Sequence, residues 1–399
     1  MISINALDRG TGLRRLALAA LSLALQVGAI VAETVLGWFA SARFAPREIA
    51  GARLVVRPGM VLTEASGSPE RIGEASGALL AGPTRSLLRA MGLFPKLGSA
   101  RMAQLVAGIP GEHRAELAAF AASAGIDAKR LMHANLVVDT CCSALGRVAQ
   151  PEAGRPLMVA RNMDFFPAAV LGGATLVTVV RPAGRHAFAS VGWPGYNAVI
   201  SGINAHGLTV CILLNYAAAG TRPGTPIAYR ARQVLEGATT VDEAAQLFAA
   251  SPVASSHYLL LADAAGMAVI WQDDAGVHRH DPSGGWLACS NGARDAVSAL
   301  ASDDRGRCLR ALAATGGDAD DAWLRASMTA SYLSGINAQA MLFVPAQRRL
   351  QLAIGTGRLA AAIAPWYSVD LAPALSGGSV ADLQVTPLGA PVRAAHYAA

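Results

Sequence analysis

The sequence predicts an α+β protein built of layered antiparallel sheets. Short β-rich runs separated by turn residues crowd the stretch after Asp139, and a helical interval splits them into two groups. Strands and helices come in blocks and do not alternate as βαβ units, which points away from a parallel sheet. With 53% hydrophobic and 15% charged residues among 399, the chain has ample apolar material for a core and lies outside the disordered class. One large domain with an N-terminal extension is the economical reading.

Taken in order, Arg9, Arg14 and Arg15 precede the apolar stretch Leu16–Ala32, and apolar character resumes after Glu33 through Trp38 and Phe39. Basic residues ahead of such a run predict export or anchoring, with residues 16–39 touching a membrane and the remainder periplasmic or otherwise extracytoplasmic. Ala40-Ser41-Ala42 offers a small-residue cleavage site, so residues 1–42 are assigned to a signal peptide or membrane anchor. Residues 43–140 are expected to be mainly helical. The clearest segment is Gly111–Ala124, where Leu117, Phe120 and Ala121 recur at helical spacing before Gly125 stops it. A short helix is expected from Asp127 to Asn135, and Glu112, His113, Arg114 and Glu116 read as a solvated helix face.

Beyond Asp139, strands are expected at 157–160, 176–180, 187–190, 197–200 and 208–215. Helices follow at 227–236 and 241–250, then strands at 258–262, 267–272 and 286–290. A helix near 305–314 and a strand pair at 340–344 and 350–354 close the pattern. Residues 141–399 thus form the second and larger part of the protein.

Composition removes several classes of function. A formal charge of +6 spread over scattered arginines gives no basic stripe for nucleic acid. Five cysteines without a C-x-x-C pair or zinc-like His/Cys spacing point away from a metal centre. No G-x-G-x-x-G follows a strand and no P-loop is present, so no nucleotide or other cofactor is expected.

The chemistry concentrates where the helical part gives way to the sheets, at Asp139-Thr140-Cys141-Cys142-Ser143. A cysteine in isolation reads as a small buried hydrophobe, and two adjacent ones also admit a vicinal disulfide. The neighbourhood changes that reading. Arg161-Asn162-Met163-Asp164 stands at the end of the next strand, and a hairpin would bring Cys141 and Asp164 together.

These residues resemble a known family. The junction is similar to the D-G-C-T-[ST] self-cleavage site of the acyl-CoA:6-aminopenicillanate acyltransferase family, and Arg161–Phe165 resembles the R-N-x-D-[FW] motif shared with choloylglycine hydrolases. Gly111–Leu117 through Asp127 and Asn135 resembles the family's prosegment pattern. Gly202–Leu208 with Asn215 resembles its G-x-N-x-x-G-L strand entry and closing L-N. Tyr258–Asp263, Gly266 and Ser290-Asn291 resemble its later strand pair ending in T-N-H. Cys142, Thr140 and Gly292 depart from the family's usual Thr or Ser, Gly and His; aligning Ser143 with the motif's last hydroxyl selects Cys141 over Cys142.

The resemblance implies a four-layered αββα sandwich of the N-terminal-nucleophile (Ntn) kind with a helical prosegment. It implies cleavage between Thr140 and Cys141, followed by association of the two cleaved chains. Cys141 would then attack a small-molecule acyl amide through a thioester, its own α-amino group serving as base. An α-amino pKa of about 7.7–8.0 suits that task. Arg161 is expected to favour the thiolate, Asp164 to orient the α-ammonium, and Asn215 and Asn291 to donate to the oxyanion. Arg307 resembles the arginine of an S-R-F-x-R-A helix. Two other readings stand beside this one: a papain-like thiol hydrolase, which needs a partner histidine and no chain cleavage, and a membrane-tethered binding protein without catalysis.

Overall fold

The structure is a computed structural model that describes residues 44–92, 99–136, 141–215, 222–292, 300, 301, 303–316 and 319–392. Residues 1–43, and with them the expected signal or anchor, lie outside the described residues, as does Thr140. Among the described residues no helix is long and apolar enough to cross a membrane.

Two sheets organise the molecule. The first runs β1 (Arg47–Ile49), β2 (Ala52–Arg57), β3 (Met60–Gly67), β6 (Leu176–Pro182), β7 (Phe188–Gly192), β8 (Ser201–Asn204), β9 (Thr209–Leu214), β10 (His257–Ala262), β11 (Met267–Asp273) and β12 (Gly276–His280). The second runs β13 (Trp286–Ser290), β4 (Cys141–Arg147), β5 (Met158–Asp164), β14 (Asn337–Val344), β15 (Arg349–Ile354), β16 (Trp366–Asp370) and β17 (Val385–Gly389). All neighbours are antiparallel except β3 and β6.

The helices are α1 (Pro69–Met91), α2 (Ser99–Ala107), α3 (Gly111–Ala124), α4 (Ala128–Ala134), α5 (Ala168–Gly173), α6 (Ile227–Gly237), α7 (Val241–Ala249), α8 (Asp304–Thr315), α9 (Asp321–Met328) and α10 (Ala372–Leu375). On the first sheet, α1 packs over β2, β3 and β6, α6 over β8 and β9, and α7 over β10 and β11. Helices α8 and α9 cover the second sheet at β13, β4, β5 and β14.

The pleat of β4 and β5 shows the layering. Cys142, Ala144, Val159 and Met163 join the large core shared with β6–β10, whereas Leu145, Met158 and Ala160 join a second core with Leu309, Leu324 and Met328 of the outer helices. The central strands of each sheet are therefore buried on both faces and read as continuous apolar runs, as Thr209–Leu214 does. This is the expected αββα sandwich.

Three local expectations needed correction. The region from 43 to 139 is not mainly helical at its start, because β1–β3 extend the first sheet from residues 47 to 67. The turn signal was present: Pro58-Gly59 separates two β-forming runs, and Gly59 takes φ 71°, a left-handed conformation open to glycine. Residues 197–200 are not a strand, since the Asn135 side chain accepts from the amides of Asn197 (2.8 Å) and Ala198 (3.4 Å), displacing a ladder partner. Finally, His113 and Glu116 are buried, not solvated.

Candidate active site

Cys141 is the first residue of β4 and lies in register with Asp164, the last of β5. Alternation then fixes two environments one residue apart. Cys141 and Asp164 share the face that carries Ser143 and Asn162, toward the α8–α9 layer. Cys142 shares the opposite face with Arg161, toward the first sheet.

On the outer face Asp164 is fully buried yet well held. Its Oδ2 accepts from Arg305 Nη1 (3.2 Å), and its Oδ1 accepts from Asn337 Nδ2 (2.8 Å) and the Leu333 amide (3.2 Å). Burial pushes its carboxyl up to about 6, against the opposing pull of Arg305, these hydrogen bonds and Arg161. Arg305 also donates to Asn291 Oδ1 (2.6 Å) and Asp303 Oδ2 (2.9 Å); burial works against its charge, but Asp303, Asp164 and, last, Cys141 raise its pKa on balance. The sequence reading did not single out Arg305. Its signal was the N-cap: Asp303 accepts from the Gly306 amide (2.8 Å) to start α8, which places Arg305 in the first turn facing β4.

On the inner face Arg161 donates to Cys142 Sγ (2.7 Å), to the Ile200 carbonyl (3.3 Å) and to Ser201 Oγ. The arginine expected beside the Cys141 thiol thus touches Cys142, and the cation on the Cys141 face is Arg305.

Asn291 follows β13 and Asn215 follows β9, both buried. Asn291 Oδ1 accepts from the Cys142 amide (2.7 Å) as well as from Arg305, two groups that can only donate; the amide orientation is therefore fixed. Its Nδ2 donates to Leu214 O (2.7 Å), next to Asn215, whose own Nδ2 donates to Ser256 Oγ (3.2 Å). Gly292 takes φ 72°, a region that glycine occupies more readily than the family's histidine. The structure therefore gathers Cys141, Asp164, Asn291 and Asn215 around one end of β4, with Arg161 beneath.

Arg307 is elsewhere. Its side chain is 59% exposed and pairs with Asp304 on the surface of α8. One helical turn seen from sequence allowed either arginine to face inward, and the Asp303 cap selects Arg305.

No curated protein matches the chain. A Caenorhabditis elegans ortholog of N-acylethanolamine-hydrolyzing acid amidase aligns with a TM-score of 0.44 and 17% identity, covering 51% of this chain and 93% of that one. A penicillin V acylase from Agrobacterium tumefaciens aligns at 0.37 and 16% identity, covering 63% and 100%. A conjugated bile acid hydrolase from Clostridium perfringens aligns at 0.41 and 11% identity, covering 64% and 99%. Residues 150–295, which include Arg161–Asp164, Asn215 and Asn291 but not the 139–143 junction, match the model of the acyl-coenzyme A:6-aminopenicillanic acid acyl-transferase family, and over that stretch the resemblance first drawn from the motifs is borne out.

Proposed function

We propose that the protein is an Ntn-type amide hydrolase or acyltransferase that cuts itself between Thr140 and Cys141. One observation carries this reading: Cys141 opens β4 directly opposite a buried carboxylate, Asp164, whose neighbours already include a cation and fixed amide donors. In the cut, Cys141 Sγ bonds to the Thr140 carbonyl carbon, the C–N bond breaks and the thiol's proton passes to the departing nitrogen, which frees the α-amino group of Cys141. Water then hydrolyses the thioester to the Thr140 carboxylate and the Cys141 thiol. That amine and the thiol place base and nucleophile on one residue.

In the mature enzyme Asp164 pairs with the α-ammonium and fixes its direction. Asn215 and Asn291 donate to the oxyanion of a tetrahedral intermediate. The substrate is a small acyl amide, and residues 16–39 hold or export the catalytic part across a membrane. Protease protection in intact cells tests the last point, and full-length protein in the cytosol would remove it.

Cys142 has a specific claim as the alternative nucleophile, because Arg161 lies on its sulfur. Against it, Cys142 is wholly buried within the ladder and its amide is committed to Asn291. Intact mass and N-terminal sequencing decide between them. A large chain beginning at Cys141, absent in Cys141→Ala and retained in Cys142→Ala, supports the proposal; processing of Cys141→Ala at the same bond overturns it.

A further inference from the structure

Away from the site, a second polar cluster joins the segment upstream of Cys141 to the part downstream. Helix α3 contributes His113 and Glu116, and α6 contributes Arg232 and Glu236, with exposures of 1%, 4%, 2% and 4%. Arg232 clamps Glu116 through Nη1 (2.9 Å) and Nη2 (2.6 Å) and reaches Glu236 through Nε (2.7 Å). His113 Nε2 lies 3.1 Å from Glu236 Oε2. Glu112, His113 and Glu236 come close enough to suggest a metal cluster, but Glu236 already holds Arg232 and His113.

The cluster extends to the Trp193–Asn197 turn. Asn197 donates to Glu116 Oε1 (3.2 Å) and to the His113 carbonyl (3.3 Å), and Arg232 donates to the Asn197 carbonyl (2.7 Å). Asn135, also upstream of the junction, donates to the Gly195 carbonyl (2.8 Å). This turn carries Trp193, whose ring lies 6.1 Å from Phe165, the residue after Asp164.

Buried ions are weak contributors to stability compared with apolar residues of the same size, and their best-attested use is to specify which surfaces pair and in what register. We infer that the Glu116–Arg232–Glu236–His113 cluster, beside the β3–β6 ladder, locks the upstream segment onto the severed remainder of the protein and holds the Trp193–Asn197 turn in place. This inference rests on the proposed cut before Cys141.

The test severs the chain independently of that cut. Residues 137–140 are replaced by a specific-protease site, the purified protein is cleaved, and the urea concentration at which the two pieces separate is read by gel filtration. Buried pairs are screened much less than exposed ones, so the gap in urea between the unsubstituted pieces and those carrying Glu116→Gln should change little with added salt. Glu116→Gln should separate at lower urea, corresponding to a dissociation constant raised on the order of 10²–10³-fold. The uncut Glu116→Gln chain should keep its near-ultraviolet circular dichroism. If it does not, Glu116→Asp, which keeps the charge but shortens its reach, takes its place, with a smaller shift expected. Separation of the cut variant at the same urea concentration as the unsubstituted pieces overturns the inference. Intact mass of the unaltered chain reports separately on self-cleavage, so failure of that reading is not confused with failure of the lock.

Discussion

Asp164 and Glu236 are both buried carboxylates held by an arginine, yet their surroundings drive them in opposite directions. For each, burial is the largest influence and disfavours the charge. At Glu236 the close Arg232 contact and the His113 hydrogen bond overcome it, and the carboxyl is held down at about 2. At Asp164 the looser Arg305 contact does not, and the carboxyl rises to about 6. The contrast separates two uses of one chemistry. A carboxylate that is fully compensated joins surfaces, whereas one left partly uncompensated retains a proton equilibrium near neutrality and free energy to spend on a new cation.

The sign of each linkage follows. Glu236 has a folded pKa below its unfolded value of about 4.5, so its contribution to stability is present above that value and lost as pH falls through about 2. Asp164 has a folded pKa above its unfolded value of about 3.8, so the folded state holds the extra proton between 3.8 and about 6. Its contribution is greatest below 3.8 and is lost as pH rises through that window.

The largest expected effect is at the site. Asp164→Asn should lower turnover of the processed enzyme on the order of 10²–10⁴-fold, with a much smaller change in substrate affinity. In the uncut chain burial holds the Asp164 carboxyl at about 6, and the α-ammonium of the processed enzyme pulls it down from there, so the parent's acid limb of activity should lie at or below about pH 6, a limb that the variant lacks. The variant should also lose the fall in stability between pH 4 and 6. Urea titrations across that range, beside pH–rate profiles normalised to the processed fraction, check both. Unchanged turnover and an unchanged acid limb would make Asp164 structural, like Glu236.

The reverse experiment is Arg232→Met, which leaves Glu116 and Glu236 buried without their cation. Removing one partner of a buried pair costs about 3–5 kcal/mol, a large share of a typical domain's stability. Chemical denaturation should show this loss, and the protein that remains folded should keep the pH profile of the parent. A variant of parental stability would place the cluster among dispensable contacts.

The sequence carried these regions unequally. Asp164 was legible because a hairpin could bring the end of one strand beside the start of the other, and the R-N-x-D resemblance marked which residue to set opposite the junction. Glu116 and His113 were not, since amphipathic spacing treats charge as a solvated face and cannot show that α6 brings Arg232 against it. The same limit hid β1–β3: alternation in a short run is faint, and its partner β6 lies far away in sequence. On β4, the pleat separated Cys141 from Cys142, so Arg161 found the second thiol. That choice depends on which face each strand buries, a property of the sandwich more than of the motif.

A smaller effect is expected from Arg305→Gln. Removing this guanidinium takes away the strongest influence lowering the Asp164 pKa, so the acid limb of activity should move upward. An opposite charge at this range shifts a carboxyl by roughly 1–3 units, so activity should fall at pH 7 and change little near pH 9. Arg305→Lys should restore much of the lost activity at pH 7. A uniform loss at every pH would assign Arg305 to folding instead.

Arg307→Ala should have the smallest effect, although sequence placed it in the site. Its pair with Asp304 lies on the solvent face of α8, with the aspartate 93% exposed and the arginine 59%. Exposed pairs are screened by salt and require two mobile side chains to be ordered, so their median worth is about 0–1 kcal/mol. Stability should therefore change within about 0.5 kcal/mol, and turnover, processing and the acid limb should match the parent. The comparison with Arg305→Gln is internally controlled: the two residues share a helix, a charge and nearly the same position in sequence, and differ in the face that the Asp303 cap gives them. If Arg307→Ala lowers turnover while Arg305→Gln leaves the acid limb in place, the first turn of α8 is rotated from the arrangement described, and Arg307 is the cation that faces Asp164.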